Sequence, residues 1–283
     1  MPFVKVKDGS NIFYEDWGEG NKYILISQIY IDYHASYTKE LSKRGYHIIF
    51  IQMRGFGQST DASNGNAPGS VRMNDVLDVA DALGIDKFVY TGISHGSGVG
   101  WSIMREHPER LAAFAGVVCG PKLKDNHPTS FSWRELDVAR GKTDEGWKER
   151  CEEGCQNILN QIRPYHSEYW AEEIRKFAED DYNTQMGLDR NERVKTLGKP
   201  GKDPLDTEAK LIEWMKTVKT PTIIFGGMQD PIVIPDAMIR TAKYVPNCKL
   251  VMYQDCNHGV SIAHGDDLAD DMDNFFKRHN VFG

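Results

Sequence analysis

From residue 23 to residue 120, short apolar runs suited to buried strands alternate with segments of helical spacing. "YILISQI", "HIIFIQM", "DKFVYTG" and "LAAFAGVVCG" read as strands, and "ASYTKELSKRGY", residues 70–83 and "HGSGVGWSIMREH" as the helices between them. Gly45 supplies the stop of the first helix, and Val71, Val76, Val79, Ala80 and Leu83 share one face of the second. The alternation resumes late in the chain, with "PTIIFGG" and "CKLVMYQ" as strands and "PDAMIRTAKYV" and "DDLADDMDNFFKRH" as helices. Strands joined through helices pair in parallel, and right-handed crossovers place the helices on both faces. Ahead of this pattern, "FVKVKDGSNIFYEDWG" alternates apolar and polar residues around a turn and predicts an opening hairpin. The expected fold class is α/β, a mostly parallel central sheet between two helical layers.

Between 121 and 218 the character changes. "SFSWRELDVARG", "DEGWKERCEEGCQNILNQI", "SEYWAEEIRKFAEDDY" and "TEAKLIEWMKTV" are helical, charged and rich in aromatic residues, and "LGKPGKDPLD" reads as a loop. The expected organisation is therefore a core of residues 1–120 and 219–283, interrupted by a helical cap insertion over 121–218. Trp133, Trp147, Tyr165, Tyr169, Trp170, Tyr182 and Trp214 fall in that insertion. Some are expected to roof a site and exclude water, and most to anchor the cap to itself and to the sheet.

The chain has 283 residues, enough for one large domain with an insertion. A net charge of -7 argues against nucleic acid or an anionic membrane as the main partner. No apolar run approaches the ~20 residues that span a bilayer. The start, "MPFVKVKDGSNIFYED", lacks the layout of a secretory signal, so a cytoplasmic location is expected. Cys119, Cys151, Cys155, Cys248 and Cys256 do not form a disulfide-framework pattern, and no metal site is expected at "CEEGC". The expected partner is a small-molecule substrate, with no cofactor. The oligomeric state stays open, a homodimer being one option.

Chemistry gathers at "YTGISHGSGVG", residues 90–100. Ser94 directly follows a strand and directly precedes a helix, the setting that the G-x-S-x-G signature requires. Such a tight turn strains the serine backbone and projects its oxygen beside the helix N-terminus, while Gly92 and Gly96 omit side chains that would collide with neighbours. A glycine-rich turn that simply packs closely is the competing reading. A serine hydroxyl needs a base, and His258 in "YQDCNHGV" follows the last expected strand. Asp230 in "IIFGGMQDPIVIP" follows the strand before it and supplies an acid, or merely a turn aspartate. Ser97, one turn along the helix, reads as a small packing residue.

These stretches resemble the α/β-hydrolase fold, in particular the broad class of haloperoxidase-like esterases, lactonases and carbon–carbon bond hydrolases. The matching segments are "RGFGQS" (54–59), "LGIDKFVYTGISHG" (83–96), "REHPERL" (105–111), "GGMQDPIVIP" (226–235) and "NHG" (257–259). The resemblance implies a catalytic triad in the order Ser94, Asp230, His258, and an oxyanion site built from the amides of Ile29 and His95. It also implies histidine-glycine at the end of the third strand, where this chain reads "ISQIY" and carries Ser27 and Gln28. Gln28 offers a third oxyanion donor, narrows the pocket, or caps a neighbouring carbonyl. For His95, the backbone is the expected contributor. Gln28, Tyr30, Trp133 and Ile232 are the expected substrate-binding residues, suited to a small apolar or aromatic molecule.

What the resemblance implies first is a serine hydrolase working through an acyl-enzyme on an ester, a lactone or a carbon–carbon bond beside a carbonyl. Two alternatives keep the same residues: a cofactor-free oxygenase or lyase that uses the His-Asp dyad as a base, and a ligand-binding protein without catalysis.

Overall fold

In the computed structural model the alternating segments join into one eight-stranded sheet, accompanied by eleven helices among the described residues. Those residues are 2–29, 36–65, 70–121, 130–195 and 205–283, without the side chains of 36 and 130–135. The opening hairpin is β1 (Phe3–Lys5) and β2 (Asn11–Trp17), and β2 pairs antiparallel with β4 (His47–Gln52). The remaining strands β3 (Tyr23–Gln28), β5 (Phe88–Ile93), β6 (Leu111–Val117), β7 (Thr222–Gly227) and β8 (Cys248–Tyr253) pair in parallel with their neighbours. The spatial order is β1-β2-β4-β3-β5-β6-β7-β8. After β3 the chain moves outward to β4, then returns across the sheet to β5. Crossovers therefore diverge between β3 and β5, which is where an α/β sheet opens a crevice at its carboxyl edge.

Alternation along each strand divides the apolar residues between two faces. Ile24, Ile26, Ile48 and Phe50 face α1 (Ser36–Lys43), α10 (Val260–Ala263) and α11 (Gly265–Arg278), which contribute Tyr37, Leu41, Leu268 and Met272. Leu25, Ile49 and Ile51 face α2 (Val71–Ala82), α3 (His95–Glu106) and α9 (Pro235–Tyr244), which bring Val76, Trp101 and Met238. Helix α1 ends at Gly45, whose φ of +84° suits the stop expected there. On α2, Val76, Val79 and Ala80 are buried as expected, whereas Val71 and Leu83 stay half-buried. Asp75 is buried as well, because Arg54 reaches it from the loop after β4, with Nε donating to Oδ2 at 2.7 Å. An apolar-face reading cannot find a buried ion pair.

Between β6 and β7 lie α4 (Ser130–Gly141), α5 (Asp144–Leu159), α6 (Glu168–Met186), α7 (Arg190–Arg193) and α8 (Glu208–Thr217). The hydroxyls of Thr143 and Ser167 cap α5 and α6 by accepting from Gly146 N and Trp170 N. Ile158, Trp170, Ile174, Phe177 and Ala178 form a small core between these two helices. Trp147 Nε1 donates to the Gln185 carbonyl at 2.8 Å and so locks the same pair together. Helix α8 packs differently. Its Leu211 and Met215 enter the cluster on the sheet face, and Trp214 meets Trp101 edge-on with centroids 6.2 Å apart. Most of the loop "LGKPGKDPLD" lies outside the described residues.

Candidate active site

Ser94 ends β5 and caps α3 with φ 51° and ψ −116°. A non-glycine residue at positive φ stores roughly 1–3 kcal/mol, which only its surroundings can maintain. Those surroundings are visible. A Cβ on Gly92 would stand 2.4 Å from the carbonyl carbon of Gly96 and 2.6 Å from the Ser97 nitrogen. A Cβ on Gly96 would meet the Ser27 carbonyl oxygen at 2.6 Å and Gln28 Nε2 at 2.3 Å. The first glycine thus lets the helix begin against its own strand, and the second lets it approach β3. Ser94 N donates to the Val117 carbonyl at 2.8 Å, and Ser97 is fully buried. The Ser97 hydroxyl donates to the Gly92 carbonyl at 2.5 Å and accepts from Val117 N at 2.9 Å. It fastens the turn to β6, which gives its burial a purpose other than nucleophilic attack.

Asp230 follows β7 and is buried. Its Oδ1 accepts from the amides of Ile232 and Val233 at 2.8 and 3.0 Å, which orients the carboxylate. Its Oδ2 faces His258 Nδ1 at 2.8 Å. The aspartate is therefore both the turn residue and the imidazole's partner. His258 stays half-buried in the loop after β8, and Ser94 is half-buried after β5. Among the described contacts, the Ser94 hydroxyl makes no hydrogen bond to the ring; such bonds often tighten only around a bound substrate.

The loops carrying Asp230 and His258 are stitched to each other. Met228 N donates to the Tyr253 carbonyl at 2.8 Å, and Gln229 N to the Cys256 carbonyl at 2.9 Å. Gly227 makes room for this, since a Cβ there would lie 2.3 Å from the carbonyl oxygens of both Cys256 and Asn257. Gly227, Gln229 and Cys256 are site residues that the sequence reading missed. The doubled glycine of "FGG" was the available signal. Cys256 is buried two residues before His258, and burial pushes its thiol up to about 12, so no thiolate competes beside the histidine.

Ile29 is half-buried at the end of β3, and His95 opens α3. Gln28 is fully buried, and its Nε2 donates to the Ile93 carbonyl at 3.1 Å. Of the three roles open to it, this contact favours the cap on a neighbouring carbonyl. Ile232 is half-buried beside Asp230. Tyr30 lies outside the described residues, and so does the side chain of Trp133, although its backbone belongs to α4. Among the described residues, no group of three or more His, Cys, Asp or Glu could hold a metal ion, and no helix is long and apolar enough to cross a membrane.

Helix α6 and the segment before it attach close to the histidine loop. Trp170 Nε1 donates to the carbonyls of Ile262 and Ala263, both at 3.1 Å. Arg163 reaches the Asp255 carbonyl at 3.2 Å, and Tyr165 OH donates to the Asp255 carboxylate at 2.5 Å. On the opposite side, Tyr169 OH bonds Glu40 of α1 at 2.5 Å.

Residues 30–264 match the family described as alpha/beta hydrolase fold. The chain belongs to the α/β-hydrolase family, as its segment resemblance implied. It is 24% identical to a non-heme haloperoxidase of Rhodococcus erythropolis, over 98% of this chain and 100% of that protein. It is 23% identical to a 2-hydroxymuconate semialdehyde hydrolase of Pseudomonas putida, over 83% and 78% of the two chains. Among solved structures, the enol-lactonase from Burkholderia xenovorans LB400 superposes with a TM-score of 0.71 at 20% identity, covering 98% of this chain and 100% of that one.

Proposed function

We propose that this protein is a serine hydrolase in which Ser94 attacks a substrate carbonyl, His258 relays the proton and Asp230 orients the imidazole. The observation that supports this most is the 2.8 Å contact between His258 Nδ1 and Asp230 Oδ2, which leaves Nε2 as the nitrogen that takes the proton. In the first step Ser94 Oγ bonds the carbonyl carbon, its proton moves to His258, and the carbonyl electron pair moves onto oxygen. The Ile29 and His95 amides are the donors assigned to that oxyanion. Collapse then breaks the bond to the leaving group, which takes the proton from His258. Water, deprotonated by the same imidazole, attacks the acyl carbon, and the bond to Ser94 Oγ breaks as Oγ takes that proton back from His258. The scheme requires neither metal nor cofactor.

The substrate class we assign is a small apolar or aromatic carbonyl compound: an ester, a lactone or a ketone cleaved at the adjoining carbon–carbon bond. Ile29 and Ile232 at the crevice support the apolar part, and the likeness to an enol-lactonase and a semialdehyde hydrolase supports the range of bonds. Helices α4 to α7 serve as the cap in this reading, and its downstream boundary falls before α8, which packs on the sheet layer. A cytoplasmic location belongs to the same reading.

The test is stopped-flow hydrolysis of 4-nitrophenyl esters of increasing acyl length. The expected result is a burst of about one nitrophenol per chain, followed by slower turnover, and both are lost in Ser94→Ala. Turnover that survives Ser94→Ala but not His258→Ala would replace this mechanism with one in which the His-Asp pair acts as a base.

A further inference from the structure

Gln28 occupies the point where β3 and β5 part. The two strands pair through Ile24↔Val89, Leu25↔Tyr90 and Ile26↔Thr91, and then the ladder stops. On its other side β3 stays paired with β4 two residues further, to Gln28↔Gln52. Continuing the β3–β5 register would set Gln28 opposite Ile93, and the bond from Gln28 Nε2 to the Ile93 carbonyl spans that position. A side-chain amide has taken over from the backbone ladder just where the crevice opens.

The contact reaches both arms of the nucleophile turn. Ile93 immediately precedes Ser94, and Gly96, two residues after it, lies so close to the Gln28 amide that a methyl group cannot fit between them. Gln28 is fully buried, and its own carbonyl accepts from Met53 N at 2.8 Å, which anchors it to the chain beyond β4. The next residue is Ile29, whose amide is assigned to the oxyanion, and the second assigned amide is that of His95 between Ser94 and Gly96. One of those amides follows β3 and the other opens α3. The Gln28 side chain joins the end of β3 to the turn through its bond to the Ile93 carbonyl, beside the Tyr90 hydroxyl, which donates to the Gly96 carbonyl at 3.0 Å.

We propose that Gln28 is the positioning residue of the oxyanion site, its side-chain amide setting the spacing between the Ile29 and His95 amides by clamping β3 to the nucleophile turn. This rests on Ser94 being the nucleophile. The clamp touches no reacting atom, and its effect runs through geometry: donors displaced from the oxyanion position lose stabilisation in the transition state and not in the bound substrate.

The experiment is the rate of Ser94 modification by a fluorophosphonate, together with kcat and KM on a 4-nitrophenyl ester, in the full-length chain and in Gln28→Leu and Gln28→Glu. For Gln28→Leu, which fills the space without a donor, labelling and kcat are expected to fall about tenfold to a hundredfold with KM unchanged. In Gln28→Glu the ionised carboxylate opposes the Ile93 carbonyl, and the protonated acid donates to it again. Its labelling rate, divided by that of the parent at the same pH, should therefore climb as pH falls, an effect that simple loss of packing does not produce. Ratios near one for both variants, or a pH-independent ratio for Gln28→Glu, would overturn the inference while leaving the nucleophile in place. A parent chain that is not labelled at all would instead remove the reading on which it rests.

Discussion

Asp230 works by leaving the histidine one seat. Two amides occupy Oδ1, so Oδ2 alone meets the ring. In Asp230→Asn the side-chain oxygen can keep the amides, but an NH2 group then faces Nδ1 and favours the wrong tautomer. We expect kcat on an ester to drop by roughly four orders of magnitude with little change in thermal midpoint. A drop below tenfold would mean that orientation of His258 is not limiting. The two glycines around Ser94 differ in what they avoid. Gly92→Ala drives a methyl group into backbone that cannot swing aside, while Gly96→Ala meets the movable end of Gln28 as well as a carbonyl. Denaturant unfolding should show both variants destabilised, Gly92→Ala by about 3 kcal/mol and Gly96→Ala by less.

The pairing of α5 with α6 holds a buried carboxylate whose cost depends on pH. Burial pushes Asp181 up from its ordinary value to about 6, only partly offset by Gln185 Nε2 donating to it at 3.4 Å. A raised folded-state value means that the folded chain keeps its proton longer than the unfolded chain. Below the unfolded value both states are protonated and Asp181 costs nothing; as pH rises from about 4 to about 6, stability is lost, and above that the loss is complete. Asp181→Asn should therefore unfold at a higher denaturant midpoint than the parent at pH 7, by on the order of 2 kcal/mol, and converge with it near pH 4. Equal midpoints at pH 7 would contradict the burial account. Trp170 anchors α6 to α10, so Trp170→Phe, which keeps most of the apolar volume but loses the donor, should cost about 1 kcal/mol and raise hydrogen exchange in α6 before it does so in β5. Strands and helices were legible because apolar period alone marks them, from "YILISQI" to the closing helix. What α8 packs against was not, since its charged and aromatic composition resembles that of the helices before it while Leu211 and Met215 join the cluster on the sheet face. Periodicity tells which face is buried, and not against what.

The sheet order brings three loops, after β5, β7 and β8, to one edge of the molecule. Ser94, Asp230 and His258 stand out in the sequence as candidates because each follows a recognisable strand, and parallel topology carries those three strand ends to the same edge. The stitch between Gly227 and Cys256 could not be picked, because it depends on two loops nearly thirty residues apart touching through their main chains. Gln28 was open for the same reason: its partner, Ile93, lies 65 residues further along the chain. Family membership sets the scaffold, and fold by itself leaves the chemistry to be established. The central claim is that Ser94 is an activated nucleophile. It is tested most directly by mass spectrometry of the chain after treatment with a fluorophosphonate, with peptide mapping and Ser94→Ala alongside. The expected result is one adduct per chain, carried by Ser94 and absent from the variant. No adduct on a folded parent chain, or an adduct that persists in Ser94→Ala, would contradict it.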